Sequence, residues 1–171
     1  MKHLKHIIIA GIAVFALAAA LVAGDDTEKA EGIQWVSYDV GLEQAADENK
    51  HVFIDFTAKW CGYCKKMDRE TFSRADVIDL INDNFVPVKV NGDSQKELDI
   101  DGYKITEAGL AKQEFGVRGY PTFWFLKSDG TKLGAVTGYK PAAQMIEFLT
   151  FVKDEKYDTT KVDTPEAEGG K

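Results

Sequence analysis

The 171-residue chain has two cysteines, Cys61 and Cys64, within the run Trp60-Cys61-Gly62-Tyr63-Cys64-Lys65-Lys66-Met67. Two thiols separated by two residues meet when their segment opens a helix. One can then attack a partner's disulfide and the other can resolve the mixed disulfide. At a helix N-terminus, unpaired backbone N–H groups and the positive end of the dipole favour a thiolate. Cys61 is therefore expected at the exposed tip as the nucleophile, with Cys64 one turn in, facing the protein, as the resolving thiol. A merely structural disulfide closing so short a loop contributes only about 2 kcal/mol in the chain-entropy model.

Asp55 interrupts the otherwise apolar run 51–57, six residues before Cys61. Strand alternation places it inside a sheet near the cysteine helix, where a buried carboxylate is costly. Desolvation should raise its pKa and suit it to take the proton from Cys64. The plainer reading has Asp55 bonding backbone at a strand edge.

Metal ligands are scarce, since residues 25–171 contain both cysteines and one histidine, His51. Structural zinc normally takes four such ligands, so no metal site is expected. Two thiolates suffice for Cu(I), which keeps a thiol-dependent metal carrier open as an alternative. The run Glu97-Leu98-Asp99-Ile100-Asp101-Gly102 echoes the start of a calcium loop, but Ala108 stands where the twelfth-position acid belongs. It reads as a solvated loop.

The elements that must position these residues follow from periodicity. Residues 34–38 suit a first strand and 42–49 a helix. Residues 51–57 form a strand covered on both faces. A helix runs from Cys61 to about Phe72, and Ser73 caps a second one carrying Val77, Ile78, Leu80 and Ile81. The run 85–90 is a strand, and 91–104 a long polar surface connection. Thr106 caps a helix to about Phe115. A turn ending at Pro121, a hairpin (122–126 and 133–137) and a last helix from about Pro141 complete the order β-α-β-α-β-α-β-β-α. That order predicts an α/β fold with a central mixed sheet and helices on both faces.

Before this domain, Lys2 and Lys5 precede seventeen uncharged positions, 7–23. This pattern is a secretory signal, or an uncleaved membrane anchor, spanning residues 1–24, and it predicts export. A linker is expected at 25–33, the domain at 34–153 and a charged, disordered tail at 154–171. Without residues 1–24 the net charge moves from −7 to −9, a poor match to nucleic acid.

The stretch 55–67, from Asp55 through both cysteines to Met67, resembles the active-site segment of thioredoxin-fold proteins. Gly119-Tyr120-Pro121-Thr122 resembles their cis-proline loop, and Val136-Thr137-Gly138-Tyr139 the glycine turn before their last helix. The resemblance covers about residues 34–153. Within the family, residues 64–84 are most similar to the exported thioredoxin-like domains of thiol:disulfide interchange proteins of the reductase type. The Gly62-Tyr63 dipeptide, by contrast, is similar to that of bacterial disulfide isomerases.

The resemblance implies a thioredoxin-like fold and a redox-active Cys61–Cys64 pair. It further implies that Asp55 and Lys89 form the buried acid–lysine pair, and that Pro121 is cis beside the disulfide. The Tyr120 backbone would then pair with an extended substrate peptide. Trp60, Gly62, Tyr63, Tyr120 and Pro121 would bind substrate, the three aromatics forming a rim around Cys61. The expected activity is reduction of protein disulfides by an exported, bacterial periplasmic, monomeric domain. It needs no bound cofactor and is re-reduced by a membrane thiol reductant. An isomerase or oxidant, and a non-catalytic binding module, are the alternatives.

Overall fold

A computed structural model describes residues 32–159. The expected signal or anchor at 1–24 lies outside the described residues. The chain runs α1 (Tyr38–Glu48), β1 (His51–Thr57), α2 (Gly62–Glu70), α3 (Ala75–Asn84), β2 (Phe85–Asn91), β3 (Glu97–Ile100), β4 (Tyr103–Thr106), α4 (Glu107–Gly109), β5 (Thr122–Leu126), β6 (Lys132–Thr137) and α5 (Ala142–Lys153). A π-helical turn, Leu110–Glu114, extends α4. The main sheet has the order β2-β1-β5-β6. β1 is parallel to β2 and antiparallel to β5, and β6 is antiparallel to β5. The expected α/β architecture is present.

β1 is the central pillar because its side chains are buried on both faces, as its unbroken apolar run requires. Val52, Ile54 and Phe56 pack with residues of α1 and the α4 region. Phe53 packs with Met67 of α2, Val77 and Ile81 of α3, and Met145 and Leu149 of α5. Helices thus cover both faces, and β1 delivers the chain directly into the cysteine segment.

Three local expectations are corrected. Residues 34–38 make only a single bridge, Val36 to Val88. The Val36 N–H donates to the Pro87 carbonyl and the Lys89 N–H to the Val36 carbonyl. Continuing that ladder would need an N–H from Pro87, which proline lacks. The Gln34 N–H turns to Asn82 Oδ1 instead, at 3.0 Å.

The expected long connection 91–104 contains the β3–β4 hairpin, with Leu98 opposite Ile105. Both are buried in the core. Asp101 and Gly102, with φ of 52° and 85°, form the two-residue turn. The cap before α3 is Arg74, not Ser73, whose hydroxyl donates to the Arg69 carbonyl. Thr106 does cap its helix, accepting the Gly109 N–H.

Both ends of the described stretch sit at one pole. Gly32 accepts a bond from Asn82 near the end of α3. The polar run after α5 turns back so that the Tyr157 hydroxyl lies 2.6 Å from His51 Nε2, at the start of β1. Residues 160–171 lie outside the described residues.

Candidate active site

Cys61 is the N-cap of α2, and its sulfur accepts the Cys64 N–H at 3.0 Å. The two cysteines are joined in a disulfide with an S–S separation of 2.15 Å and a Cα–Cα distance of 5.3 Å. The helix-opening geometry anticipated from the two-residue spacing is therefore present. The expected exposure is not: Cys61 is 3% exposed and Cys64 4%, clustered with Ala58 and partly covered by Tyr120. In this oxidised state both sulfurs fold against the first turn, so exposure does not separate them. What does is the helix end, whose N–H points at Cys61 and favours negative charge there.

Asp55 is 2% exposed, and its Oδ1 has no hydrogen-bond partner among the described residues. Lys89 stands directly opposite in the parallel β1–β2 register, with Nζ 3.4 Å from Asp55 Oδ2. Burial pushes the Asp55 carboxyl up to about 6, and Lys89 only partly offsets it. Burial pulls Lys89 down, but Asp55 and Asp68 outweigh it and leave the ammonium above its ordinary value. The strand-edge alternative for Asp55 fails, because β1 lies between β2 and β5.

Asp68 was missed from sequence. It pairs with Lys89 at 2.9 Å, and it follows Cys64 by four residues on α2. Residues four apart share a helix face, so Asp68 links Lys89, and through it Asp55, to the face of α2 that carries Cys64. The four-residue spacing from Cys64 could have flagged it. Trp35, whose ring lies 4.9 Å from Lys89 Nζ, completes the enclosure.

The Tyr120–Pro121 bond is cis. The Tyr120 ring stands edge-on to Trp60 at 5.9 Å. Its other side presses on Gly92, where an added Cβ would fall 1.8 Å from the Tyr120 hydroxyl. This close approach explains a glycine after β2, and nothing local in the sequence signals it. Trp60 and Tyr63 are 69% and 64% exposed, and Gly62 is exposed between the cysteines. Of the expected rim, Trp60 and Tyr120 meet each other while Tyr63 projects outward. Phe123 and Phe125 are core, and Trp124 is only half-buried.

The described site thus combines a disulfide at a helix N-terminus, a buried acid paired with lysine and a cis-proline loop. The sequence matches the thioredoxin-like domain family over residues 38–153. Chicken protein disulfide-isomerase is 31% identical over 117 residues, 68% of this chain and 20% of that protein. The thiol:disulfide interchange protein DsbD of Photorhabdus laumondii is 31% identical over 115 residues, 63% of this chain and 18% of that one. Among solved structures, a Thermus thermophilus thioredoxin superposes with a TM-score of 0.59 at 27% identity, covering 71% of this chain and 87% of the other. The chain belongs to the thioredoxin-like domain family. It spans about a fifth of the length of the curated relatives it matches. No helix among the described residues is long and apolar enough to cross a membrane.

Proposed function

We propose that this protein is an exported thiol:disulfide reductase acting on protein disulfides. The observation that carries the reading is the Cys64 N–H donated to Cys61 Sγ at the start of α2. In the reduced protein that donor stabilises a Cys61 thiolate. The thiolate attacks one sulfur of the substrate disulfide, forming a Cys61–substrate bond and releasing the other substrate sulfur as a thiolate. Asp55 then takes the Cys64 proton, directly or through one water. Cys64 attacks Cys61 Sγ, the internal disulfide forms and the second substrate thiolate leaves. Two electrons pass to the substrate, and an external dithiol must return them.

Lys89 supports this sequence by stabilising Asp55 when it is ionised. Trp60, Tyr63 and Tyr120 supply an aromatic surface for the partner, and the Tyr120 backbone pairs with its extended chain. Export, a periplasmic setting and a membrane thiol reductant as donor rest on the basic-then-apolar segment 1–24 and on the likeness to DsbD. Insulin reduction driven by a small dithiol should be abolished in Cys61→Ser, and retained turnover there would overturn the mechanism. Cys64→Ala should accumulate mixed disulfides with partner proteins; a variant that traps none would favour a binding module.

An isomerase is the second reading, favoured by Gly62-Tyr63 and by the likeness to protein disulfide-isomerase. The reduction potential separates the two. A value near about −270 mV suits a reductant, and one near about −180 mV an isomerase.

A further inference from the structure

The Lys89 ammonium is held from three directions. Asp68 Oδ1 of α2 lies 2.9 Å from Nζ, Asp55 Oδ2 of β1 3.4 Å, and the Trp35 ring centre 4.9 Å. Asp55 and Asp68 are the charged groups that act on Lys89, and Lys89 and Asp68 those that act on Asp55. The two acids compete for one cation, Asp55 from within the protein and Asp68 from a half-exposed position. A lysine on its flexible stem can follow the outer acid into water, which would strip Asp55 of its counter-charge.

Trp35 is fixed independently of both acids. Val88 of β2 stands opposite Ile54 of β1 on one side and bridges to Val36 on the other. The Val36 N–H donates to the Pro87 carbonyl at 2.9 Å, and the Lys89 N–H to the Val36 carbonyl at 3.1 Å. The segment carrying Trp35 therefore runs along the edge of β2 away from Asp55. The indole packs on Phe53 at 6.0 Å and edge-on to Phe72 at 5.5 Å, so its place is set by the core.

We propose that Trp35 is a positioning residue for the proton transfer from Cys64: its ring face holds the Lys89 ammonium within reach of Asp55 against the pull of Asp68. The inference rests on the redox reading above and adds a residue outside the cysteine, acid–lysine and proline segments. A cation over an indole is attracted by the ring quadrupole, more strongly than over the other aromatic rings. An aliphatic side chain there walls the site without that attraction. Lys89 then moves toward Asp68, and Asp55, with less opposite charge beside it, ionises only at higher pH. It must be ionised to accept the Cys64 proton.

The test follows stopped-flow decay of a mixed disulfide between Cys61 and a reporter peptide along the acid limb of the pH–rate profile, using the full chain. Trp35→Leu, which keeps an apolar wall, should move that limb up by about half a pH unit. Trp35→Phe, which keeps a ring face, should return most of the shift. In a Lys89→Met background, Trp35→Leu should move the limb no further. The Lys89 ε-methylene protons, shielded by the indole ring current, should resonate upfield in the native protein and lose that displacement in Trp35→Leu.

An unmoved limb in Trp35→Leu, a shift to lower pH, or an equal shift without Lys89 would overturn the positioning role and leave the redox reading intact. A limb that persists in Asp55→Asn would instead sink Asp55 as the proton acceptor, and the role of Trp35 with it. If Trp35→Leu does not fold, the native spectrum still decides, since Lys89 ε-methylene protons at their ordinary shift would overturn the proposal.

Discussion

Phe53 and Asp55 lie two residues apart on one face of β1, and their surroundings could hardly differ more. Phe53 is wholly buried and in ring contact with Trp35, Phe72, Phe85, Phe123 and Phe125. Asp55 is equally enclosed but faces Lys89, and one of its oxygens lacks a partner. The strand spends one position on cohesion and the next inward one on a destabilising group. A buried carboxylate that is not fully satisfied is difficult to explain by stability, which is why it points to proton transfer.

The sharpest way to break this contrast is Phe53→Ala. It should cost about 3 to 5 kcal/mol in denaturant unfolding, since five rings cannot all collapse into the void. The kcat/KM of the molecules that remain folded should change little, because the ring touches no reacting group.

Asp55→Asn should act in the opposite sense on both properties. A folded pKa of about 6 against an ordinary value of 3.8 means the group favours the folded state below about pH 4 and loses that contribution as pH rises through 6. The Asn variant escapes the loss. It should match the native protein near pH 4 and exceed it by up to about 3 kcal/mol above pH 7, at 1.36 kcal/mol for each pH unit. Release of the second substrate thiolate should slow about a hundredfold, measured by stopped-flow decay of the mixed disulfide. A variant less stable at pH 8 than the native protein would refute the assignment.

Gly92→Ala probes the aromatic rim. Its methyl group would collide with the Tyr120 ring, so the ring must leave its place against Trp60. A stability loss of about 1 to 3 kcal/mol is expected from the overpacking, with a change in tryptophan fluorescence and a raised KM for insulin. The smallest effect belongs to Asp68→Asn, whose half-exposed pair with Lys89 should contribute under about 1 kcal/mol. Asp68 raises the Asp55 pKa, so its neutralisation should move the acid limb of the pH–rate profile to lower pH.

Legibility in the sequence followed the range of the interactions. β1, the cysteine helix and the closing hairpin were readable because each is set by local periodicity, a cap or a turn. The β3–β4 hairpin was also written locally, as Asp101-Gly102 between Leu98, Ile100, Tyr103 and Ile105, but its acidic residues suggested a solvated loop. The bridge at Val36 was overread as a strand because the residue that ends it, Pro87, lies 51 positions away. The Gly92–Tyr120 contact joins residues far apart in the chain. The burial of Cys61 depends on Tyr120 as well, so spacing alone pointed to an exposed sulfur.

Residues 32 and 159 lie at the pole where β1 starts, whereas the disulfide follows the end of that strand. A tag, resin or surface attached directly at residue 32 or at Tyr157 would start from the pole opposite Cys61. A sensor film or column coupled at either of those positions should present the dithiol outward, and one coupled through Lys59 or Lys65, beside the cysteines, should be blind.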